Sequence, residues 1–343
     1  MCGGSRWRPP AQVRGLNSIL VVFRVVMEQG TVSSVGRGVY EAVVLSNRQI
    51  RDAFYKARLE LSGAGAKAFG EFRPGQFAQL DAVAAELPPA EKIPEELADA
   101  AQRRILLRRP FSFTDVTKHG DKTTADILYC VVGPATLRMT TLKARDRVSV
   151  IGPLGNGFTV PEGKKKVFLV FGGMGTAPVQ HLAKLIMEGR RAGEIEIVAF
   201  AGAKTKRGLP FEKPMDGISE QLGFAIREFA RYGIESIIAT DDGSAGFHGL
   251  VTDCFLQWLK ENKLEAKSAI IYSCGPEPML AKVAEIAKGR GIDCQVSMER
   301  GMACGIGVCQ SCAIRCRIEG SNETKYKMCC EDGPVFDARE VVF

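Results

Sequence analysis

Six of the eleven cysteines in the chain lie between residues 304 and 330, and three of them follow a C-x4-C-x2-C spacing. With one further thiol downstream, this spacing is typical of a 2Fe–2S cluster held by four thiolates. Gly305 and Gly307 lie inside it, where a loop that turns backbone N–H groups toward sulfur needs residues that tolerate positive φ. A structural zinc site or unligated thiols are the alternatives. Zinc sites usually carry two separated CxxC-like pairs, so the sequence favours a cluster with Cys304, Cys309 and Cys312 as ligands.

The fourth ligand has two candidates, because Cys329 and Cys330 are adjacent. Neighbouring residues of an extended chain point to opposite faces, so only one of these thiols can readily face the iron. Cys316 lies too close in sequence to Cys312 to be the distant ligand, and we expect it to alternate with Ile314 on a strand. The spacing alone leaves the choice between the adjacent pair open.

Two loops, each between an apolar strand and a helix, have the composition of nucleotide-binding turns. The first, GGMGTAP, lets a phosphate approach a helix N-terminus, and its candidate residues are Gly172, Gly173, Gly175 and Thr176. The second, CGPEPM, follows a later strand and would put a small thiol beside a nicotinamide; its candidates are Cys274, Gly275 and Pro276. Each loop alone is also compatible with a tight connection. Together, at the carboxyl edge of one parallel sheet, they predict a dinucleotide site.

A third set of candidates lies earlier in the chain, in the run Arg109-Pro110-Phe111-Ser112, with Tyr129 downstream. A guanidinium can bind a pyrophosphate through two parallel hydrogen bonds, and an aromatic ring can stack on an isoalloxazine. These residue types therefore suggest a flavin dinucleotide. Taken singly, Arg109 is equally compatible with a surface charge and Tyr129 with a core residue.

The segment from residue 39 to about 158 contains short β-like runs separated by turn residues such as Pro74-Gly75, which is typical of a small barrel or sandwich. The predicted strands are Tyr40–Leu45, Tyr55–Leu61, Gln76–Leu80, Ile127–Val132 and Arg147–Ile151. Residues 82–102 interrupt this pattern. Their Ala, Glu and Pro content indicates a partly helical surface insertion without chemistry.

After Gly163, compact apolar runs alternate with helical patterns, which predicts a doubly wound parallel sheet. The predicted strands are Val167–Phe171, Ile195–Ala201, Ser236–Thr240, Ala269–Ser273 and Cys294–Met298, and the predicted helices are Pro178–Arg191, Leu250–Glu261 and Pro278–Lys288. From Glu299 onward Gly and Cys dominate, and we expect regular order to be lost without a cofactor. The fold class is thus all-β followed by α/β, divided into a disordered leader (1–38), a β-barrel (39–160), an α/β domain (164–298) and a cysteine-rich domain (299–343).

The composition, 45% apolar and 25% charged over 343 residues, is that of a globular chain with two or three domains. The net charge of +7 comes from scattered Lys and Arg, which argues against a nucleic-acid partner and fits an anionic cofactor. No run reaches the ~18 apolar residues of a membrane span. The short apolar stretch Ile19–Met27 contains Arg24, so we expect a leader or a start at Met27, and a cytoplasmic protein.

Taken in order, these motifs resemble the electron-transfer subunits of class 1B dihydroorotate dehydrogenases, a branch of the ferredoxin-reductase-like flavoproteins. The resemblance extends from about Tyr40 to Val342. The stretches that carry it are RRPFSFTD (108–115), GPLGNGF (152–158), GGMGTAP (172–178), ATDDGSAGFHGLVTD (239–253), CGPEPML (274–280), MERGMACGIGVCQSC (298–312) and CEDGPVFDA (330–338).

The resemblance assigns roles to particular residues. It implies that FAD is bound by Arg109, Pro110, Phe111 and Ser112, by Leu128, Tyr129 and Cys130 on the next strand, and by Ala135 and Thr136 on the phosphate side. The family often has Arg in place of Cys130 and Gly in place of Ala135. It also places the fourth cluster ligand directly before an acidic-Gly-Pro-Val-Phe run, which selects Cys330.

The resemblance further implies FAD, a 2Fe–2S cluster and NAD as cofactors. It implies a partner, an FMN-containing dihydroorotate dehydrogenase catalytic subunit, in a heterotetramer with two copies of each chain. Electrons would pass from the partner through the cluster and FAD to NAD⁺, in pyrimidine biosynthesis, without a catalytic acid or base from this chain.

Two other functions remain open. One is a diaphorase-like subunit of a hydrogenase, sulfide dehydrogenase or bifurcating NADPH:ferredoxin reductase, and the other is a redox sensor without turnover. NADP also remains open as the nucleotide, because Lys204, Lys206 and Arg207 follow the second strand of the α/β domain and are able to meet a 2′-phosphate. The resemblance alone favours NAD.

Overall fold

A computed structural model describes residues 36–189, 194–212 and 226–343 of the chain. Positions 1–35 of the predicted leader (1–38) lie outside the described residues. Arg191, the predicted end of a helix, also lies outside them. The described residues form two large sheets and a short hairpin.

The first sheet is a closed barrel of six antiparallel strands. Its strands are β1 (Gly38–Arg51), β2 (Phe54–Ser62), β3 (Phe77–Leu80), β4 (Arg109–His119), β5 (Lys122–Cys130) and β6 (Arg147–Leu154). They pair in the order β1-β2-β5-β4-β3-β6, and apolar residues on alternate positions fill the interior. The five predicted strands are confirmed, although β5 begins five residues earlier than predicted and ends two residues sooner.

The sequence pattern did not predict β4 as a strand. Most residues of β4 are only partly buried, and the strand begins with Arg-Pro. For both reasons its sequence lacks the usual alternation of apolar and polar residues. The run 109–112 therefore lies on a barrel strand and not in a loop. This places its side chains in register with those of β3 and β5.

Three short helices belong to the barrel region: α1 (Gly63–Phe69), α2 (Ala98–Ala101) and α3 (Pro134–Met139). The insertion 82–102 contains α2 and two single 3-10 turns, which confirms the prediction of partial helicity. The hydroxyl of Thr141, just after α3, donates a hydrogen bond to the carbonyl of Glu86 (3.0 Å) and ties the insertion to the barrel.

The second sheet has seven strands, with helices on both faces. The strands are β7 (Lys166–Gly172), β8 (Glu196–Ala203), β9 (Glu235–Thr240), β10 (Phe247–His248), β11 (Ala269–Cys274), β12 (Asp293–Ser297) and β15 (Val335–Asp337), and the helices are α4 (Thr176–Glu188), α5 (Arg227–Ala230), α6 (Val251–Glu261) and α7 (Glu277–Arg290). The order is β10-β9-β8-β7-β11-β12-β15, and all pairs are parallel except β12 with β15. The chain reverses its direction of progress between β7 and β11, which confirms the doubly wound arrangement and creates a switch point there.

The expectation that regular order is lost after Glu299 is wrong for part of this segment. It contains the hairpin β13 (Ala313–Arg317) and β14 (Thr324–Met328) as well as β15. The hairpin escaped prediction because β14 is mostly exposed and polar, so it shows no apolar alternation. Ile314 and Cys316 are both buried on β13, in agreement with the predicted alternation. Among the described helices, none combines the length and apolar character needed to cross a membrane.

Candidate functional site

A cavity of about 540 Å³ lies between the barrel and the second sheet. The barrel side of its wall contains all nine residues that were predicted to bind FAD: Arg109, Pro110, Phe111, Ser112, Leu128, Tyr129, Cys130, Ala135 and Thr136. The wall is mainly apolar and carries few polar groups, as is usual for cofactor sites of this size. The two barrel strands and α3 thus bring together side chains that are separated by more than twenty positions in the sequence.

Aromatic packing holds the floor of this cavity rigid. The rings of Phe111 and Tyr129 meet edge to face at 6.4 Å, and Tyr55 stacks on the other side of Tyr129 at 5.5 Å. The Tyr129 hydroxyl donates to Asn47 Oδ1 (3.0 Å), and burial raises the pKa of this phenol well above its ordinary value. Tyr129 therefore stays neutral and serves as a fixed wall.

Polar groups are concentrated at the rim. The Oγ1 atom of Thr136 accepts hydrogen bonds from the N–H groups of Val132 (3.0 Å) and Gly133 (3.2 Å), which shapes the turn before α3. The Arg109 guanidinium donates from Nη1 to the carbonyls of Leu107 (2.7 Å) and Arg108 (3.3 Å). A guanidinium has five N–H donors, so these contacts leave donors for an anion.

The two predicted nucleotide loops meet at the switch point of the second sheet. A Cβ atom on Gly175 would lie 2.1 Å from the Cys274 carbonyl oxygen, and one on Gly172 would lie 3.1 Å from Pro276 Cδ. Gly275 has φ of +153° and Gly173 has φ of +51°, and the space beside Gly173 is open. The loops thus contact each other through backbone that excludes side chains, and the open space leaves room for a phosphate.

The same two loops also form part of the wall of this cavity, which is called the flavin cavity below because its barrel residues are predicted to bind FAD. Met174, Ala177 and Pro178 from the first loop and Cys274 from the second line it opposite the barrel. Burial raises the pKa of the Cys274 thiol above its ordinary range, so the thiol is neutral beside the cavity. Gly172, Gly173, Gly175, Thr176, Gly275 and Pro276 are not part of this wall, and their role in binding a nucleotide stays a prediction.

Several wall residues were not predicted. Besides Met174, Ala177 and Pro178, they are Phe77, Val132, Gly133, Pro134, Ser297, Met298, Glu299, Arg300, Met302 and Pro334. Residues 297–302 follow β12 at the carboxyl edge of the sheet, the position where ligand-contacting residues are expected, and this signal could have found them. Arg300 is oriented by an ion pair with Glu277 at the start of α7 (2.7 Å).

A buried polar contact holds the barrel against the second sheet. The Lys184 ammonium on α4 lies 2.5 Å from Asp115 Oδ1 and 2.6 Å from Thr117 Oγ1, both on β4. One turn earlier, the His181 ring stacks on Phe72 at 5.8 Å, and burial lowers the pKa of His181 to about 4. The strand that carries residues 109–112 is therefore joined directly to the helix that follows the first nucleotide loop.

Three of the predicted cluster ligands, Cys304, Cys309 and Cys312, lie in a loop of irregular backbone at residues 301–312, and the fourth, Cys330, follows β14. The N–H of Cys309 donates to Cys304 Sγ (3.3 Å), and the N–H of Cys304 donates to Cys309 Sγ (3.5 Å). The N–H of Gly307 donates to Cys330 Sγ (3.1 Å), which in turn lies 3.3 Å from Cys312 Sγ. Reciprocal N–H···S bonds thus link residues 304 and 309, and a contact between sulfur atoms links residues 312 and 330, so that the ligands fall into two pairs.

This arrangement fits a binuclear cluster. Gly305 and Gly307 have φ of +69° and +84°, as the direction of the N–H groups toward sulfur requires. Each iron of a 2Fe–2S cluster takes two thiolates, which matches two pairs of sulfur atoms. Within the described part of the chain, no group of three or more Cys, His, Asp or Glu side chains is arranged to hold one metal ion. Two separate pairs of ligands agree with the absence of such a mononuclear site, because a binuclear centre does not require all four thiols around a single metal ion.

The ionisation of these thiols differs between the two ends of the site. A hydrogen bond with the Ser311 hydroxyl lowers the pKa of the exposed Cys309 thiol to about 6, whereas burial raises the pKa of Cys330 to about 12. Thiolates are the metal-binding form. Cluster binding at the buried end therefore releases a proton.

Cys329 directs its thiol at a backbone carbonyl. Its buried thiol donates to the carbonyl of Met298 (3.2 Å), and Met298 lines the flavin cavity. Cys316 is buried on β13. The geometry thus supports Cys330 as the fourth ligand, and the assignment stays a prediction.

Asn156 fixes the chain around Cys330. Its Nδ2 donates to the carbonyls of Asp332 (2.8 Å) and Val335 (2.9 Å), and its Oδ1 accepts from the N–H of Val335 (2.9 Å). Its own N–H donates to the carbonyl of Gly333. The segment 152–158, which comprises the end of β6 and the residues directly after it, therefore holds the segment that carries the last proposed ligand.

The chain was compared with known protein families, with curated proteins and with solved structures. Residues 299–342 match the iron-sulfur cluster binding domain of dihydroorotate dehydrogenase B, and residues 169–285 match the oxidoreductase NAD-binding domain. Among solved structures, an NADH-dependent reduced ferredoxin-NADP oxidoreductase, described in work on flavin-based electron bifurcation, aligns with a TM-score of 0.63 at 25% identity over 88% of this chain and 89% of that one. A ferredoxin NADP⁺ reductase from Neisseria gonorrhoeae, solved with bound FAD and NADP, aligns with a TM-score of 0.50 at 14% identity over 77% and 95% of the chains and shows the fold alone.

Curated relatives are closer in sequence. The dihydroorotate dehydrogenase B (NAD(+)) electron transfer subunit of Caldanaerobacter subterraneus subsp. tengcongensis is 34% identical over 88% of this chain and 98% of the relative. The same subunit from Geobacillus thermodenitrificans is 36% identical over 87% and 96%. FAD, a 2Fe–2S cluster and NAD, the cofactors expected from the sequence, are supported by these matches. The chain belongs to the family of dihydroorotate dehydrogenase B electron transfer subunits.

Proposed function

We propose that this chain carries electrons from an FMN-containing dihydroorotate dehydrogenase catalytic subunit to NAD⁺, through a 2Fe–2S cluster and FAD, in cytoplasmic pyrimidine biosynthesis. The observation that carries the proposal is the composition of the cavity wall. Barrel residues such as Ser112, nucleotide-loop residues such as Cys274, and Met298 and Pro334 beside the cluster segment all line one space. Three cofactor sites converge on this space, as a relay requires.

When bound, the cluster supplies single electrons and the flavin exchanges one or two, which couples a one-electron donor to hydride transfer with NAD⁺. The chain itself binds, orients and separates these groups. Arg109 offers N–H donors to an anion at the rim, and Phe111 and Tyr129 fix the floor. The glycines of the two loops leave the crevice open for the dinucleotide. No residue of this chain is required to act as a general acid or base.

A short path through the protein joins the cluster segment to the cavity. Cys330, the proposed ligand, directly follows Cys329 in the sequence. The thiol of Cys329 donates a hydrogen bond to the Met298 carbonyl. The N–H of Met298 also donates to the carbonyl of Pro334 (2.8 Å), another wall residue. These hydrogen bonds tie the cluster segment to the wall of the cavity, which supports electron transfer between the two sites.

The test is reconstitution with the catalytic subunit. The purified chain should contain FAD and iron in a ratio of about one to two, and should assemble with the FMN subunit as a heterotetramer with two copies of each. Dihydroorotate-dependent NADH formation should require both subunits. Equal NADH formation by the catalytic subunit alone would contradict the proposal, as would a chain that binds no flavin.

A second candidate is the diaphorase-like subunit of another redox complex. The alignment with the NADH-dependent reduced ferredoxin-NADP oxidoreductase, which covers most of both chains, favours it. This candidate predicts flavin reduction by NAD(P)H coupled to ferredoxin, without a response to the dihydroorotate dehydrogenase subunit. A redox sensor would show neither turnover, so the same assays separate the three functions.

A further inference from the structure

Gln79, on β3 of the barrel, is a buried amide without a partner. Its side chain is 1% exposed, and its Nε2 atom has no hydrogen-bond partner among the residues that the structure describes. Leaving a buried donor unsatisfied costs about 1–3 kcal/mol, so native proteins rarely do it without a reason. A donor of this kind points to an acceptor that the polypeptide itself does not supply.

The amide lies directly against the cluster loop. A Cβ atom on Gly305 would lie 2.1 Å from Gln79 Nε2 and 2.9 Å from Gln79 Cδ. The neighbouring residues of that loop direct N–H groups at sulfur, Ile306 at Cys304 Sγ (3.5 Å) and Gly307 at Cys330 Sγ (3.1 Å). Gln79 therefore brings a further N–H donor to a loop whose other donors already serve sulfur atoms.

The register of β3 explains why a barrel residue reaches this loop. Ala78 and Leu80 belong to the core of the barrel, whereas Phe77 packs in the core that contains Cys312 and Cys330. Successive residues of a strand alternate between faces, so Gln79 shares the outward face with Phe77. Phe77 also lines the flavin cavity, which places Gln79 between that cavity and the cluster loop.

We propose that the Gln79 side-chain amide donates a hydrogen bond to a sulfur atom of the bound 2Fe–2S centre, either a cysteine thiolate or a sulfide. The inference rests on the cluster site proposed above and assigns Gln79 as a positioning and tuning residue. Hydrogen bonds to the sulfur atoms help to set the potential of such clusters. They stabilise the more negative, reduced form, so this donor raises the reduction potential and favours electron uptake from the partner.

The test compares Gln79→Met and Gln79→Leu with wild type in the full chain. Both variants keep a similar volume and remove the donor. The matched control is Gln180→Leu, because Gln180 is also a buried amide but its Nε2 already donates to Thr176 Oγ1 (3.1 Å) on α4. Iron and FAD contents are measured first, and the midpoint potential of the cluster is then measured by a redox titration followed by electron paramagnetic resonance.

We expect wild-type iron and FAD in all three variants, a lowered cluster potential in both Gln79 variants, and an unchanged potential in the control. An unchanged potential in an iron-loaded Gln79 variant would overturn the inference. Absence of iron from the wild-type chain would instead overturn the cluster site, so the two failures are distinguishable.

A second measurement decides the matter if neither Gln79 variant folds. Protein labelled with ¹⁵N in glutamine side chains is reduced and examined by pulsed electron paramagnetic resonance. The Gln310→Gly background is used, since Gln310 lies within the cluster loop and its φ of +58° suits glycine. A ¹⁵N coupling to the reduced cluster supports the inference, and its absence overturns it.

Discussion

The flavin cavity and the cluster loop are built in different ways. The cavity is formed by side chains on β4 and β5, whose register in the barrel sets each position, and its aromatic floor is packed without help from a ligand. The cluster loop is irregular, and its sulfur atoms are placed by backbone N–H groups and two glycines at positive φ. We therefore expect the loss of one cavity contact to weaken FAD binding only in part, whereas the loss of one cysteine ligand should remove the cluster altogether.

The largest expected effect is that of Cys330→Ser. This variant should lose the 2Fe–2S absorbance and the paramagnetic signal of the reduced protein, because it removes one thiolate of the pair with Cys312. Cys329→Ser and Cys316→Ser should keep both signals, since the Cys329 thiol is hydrogen-bonded to the Met298 carbonyl and Cys316 is buried on β13. FAD should be retained in all three. A normal cluster in Cys330→Ser, together with loss in Cys329→Ser, would shift the ligand register by one residue.

The next effect concerns the contact between the two nucleotide loops. Gly175→Ala places a methyl group 2.1 Å from the Cys274 carbonyl oxygen, so the loops must separate, and we expect NADH reduction of the flavin to slow at least tenfold, about 1.4 kcal/mol. Gly289→Ala, inside α7 and away from both loops, is the matched control. Its methyl group meets no atom within 4 Å, and its helical position adds no backbone strain. Stopped-flow reduction kinetics measure both, and equal rates would place the nucleotide elsewhere.

A smaller, graded effect is expected at the cavity rim. Arg109→Ala should weaken FAD binding by roughly 1.5–3 kcal/mol, the usual contribution of a hydrogen bond to a charged group, and should leave iron in place. Arg103→Ala, which removes an exposed charge paired only with Asp99, serves as the control. FAD and iron are measured after gel filtration at increasing dilution. Wild-type FAD occupancy in Arg109→Ala, or joint loss of iron, would refute the graded behaviour proposed for the cavity.

The smallest effect on the cofactors is expected at the joint between the two sheets. Burial opposes ionisation of Asp115, but the hydrogen bond and the charge of Lys184 hold the pKa of this carboxyl below its ordinary value of 3.8. The pair therefore contributes stability above about pH 4, and this contribution is lost as the pH falls through the lowered pKa. Lys184→Met should lower the free energy of unfolding at pH 7 by less than the roughly 3–5 kcal/mol of a fully buried pair, because the side chains are 11% and 22% exposed.

Urea unfolding at pH 7 and pH 3 measures this effect, with Lys118→Met on the exposed end of β4 as the control. The gap between Lys184→Met and wild type should narrow at pH 3. A gap of equal size at both pH values would mean that packing, and not the ion pair, stabilises the joint.

Much of the fold could be predicted from the sequence, because apolar periodicity is strong where strands are buried on one or both faces. The second sheet and the two loops at its switch point follow from this signal. The strand β4 and the hairpin β13–β14 were not predicted, because their exposed polar residues weaken the apolar periodicity. Nine residues of the barrel half of the cavity could be predicted from the resemblance, whereas Phe77, Val132, Gly133 and Pro134 could not.

The rest of the candidate site could not be predicted, because it depends on long-range contacts. Phe77 and Pro334 line the same cavity although they are far apart in the sequence, and no local sequence pattern predicts this. Gln79 alternates with apolar neighbours as any strand residue does. Only the packing of β3 against Gly305 reveals that its amide faces the cluster loop.

The last ligand is anchored by the rest of the molecule. The side chain of Asn156, just after the last barrel strand, donates hydrogen bonds to the backbone of residues 332 and 335. In addition, β15 pairs with β12 of the second sheet. Residues 299–343 therefore do not form a cassette that protein engineers could cut out and graft onto another reductase. A transplant would have to carry the segment 152–158 and β12 with it. Redesign of the cluster in place, by point changes around the loop, is the practical route.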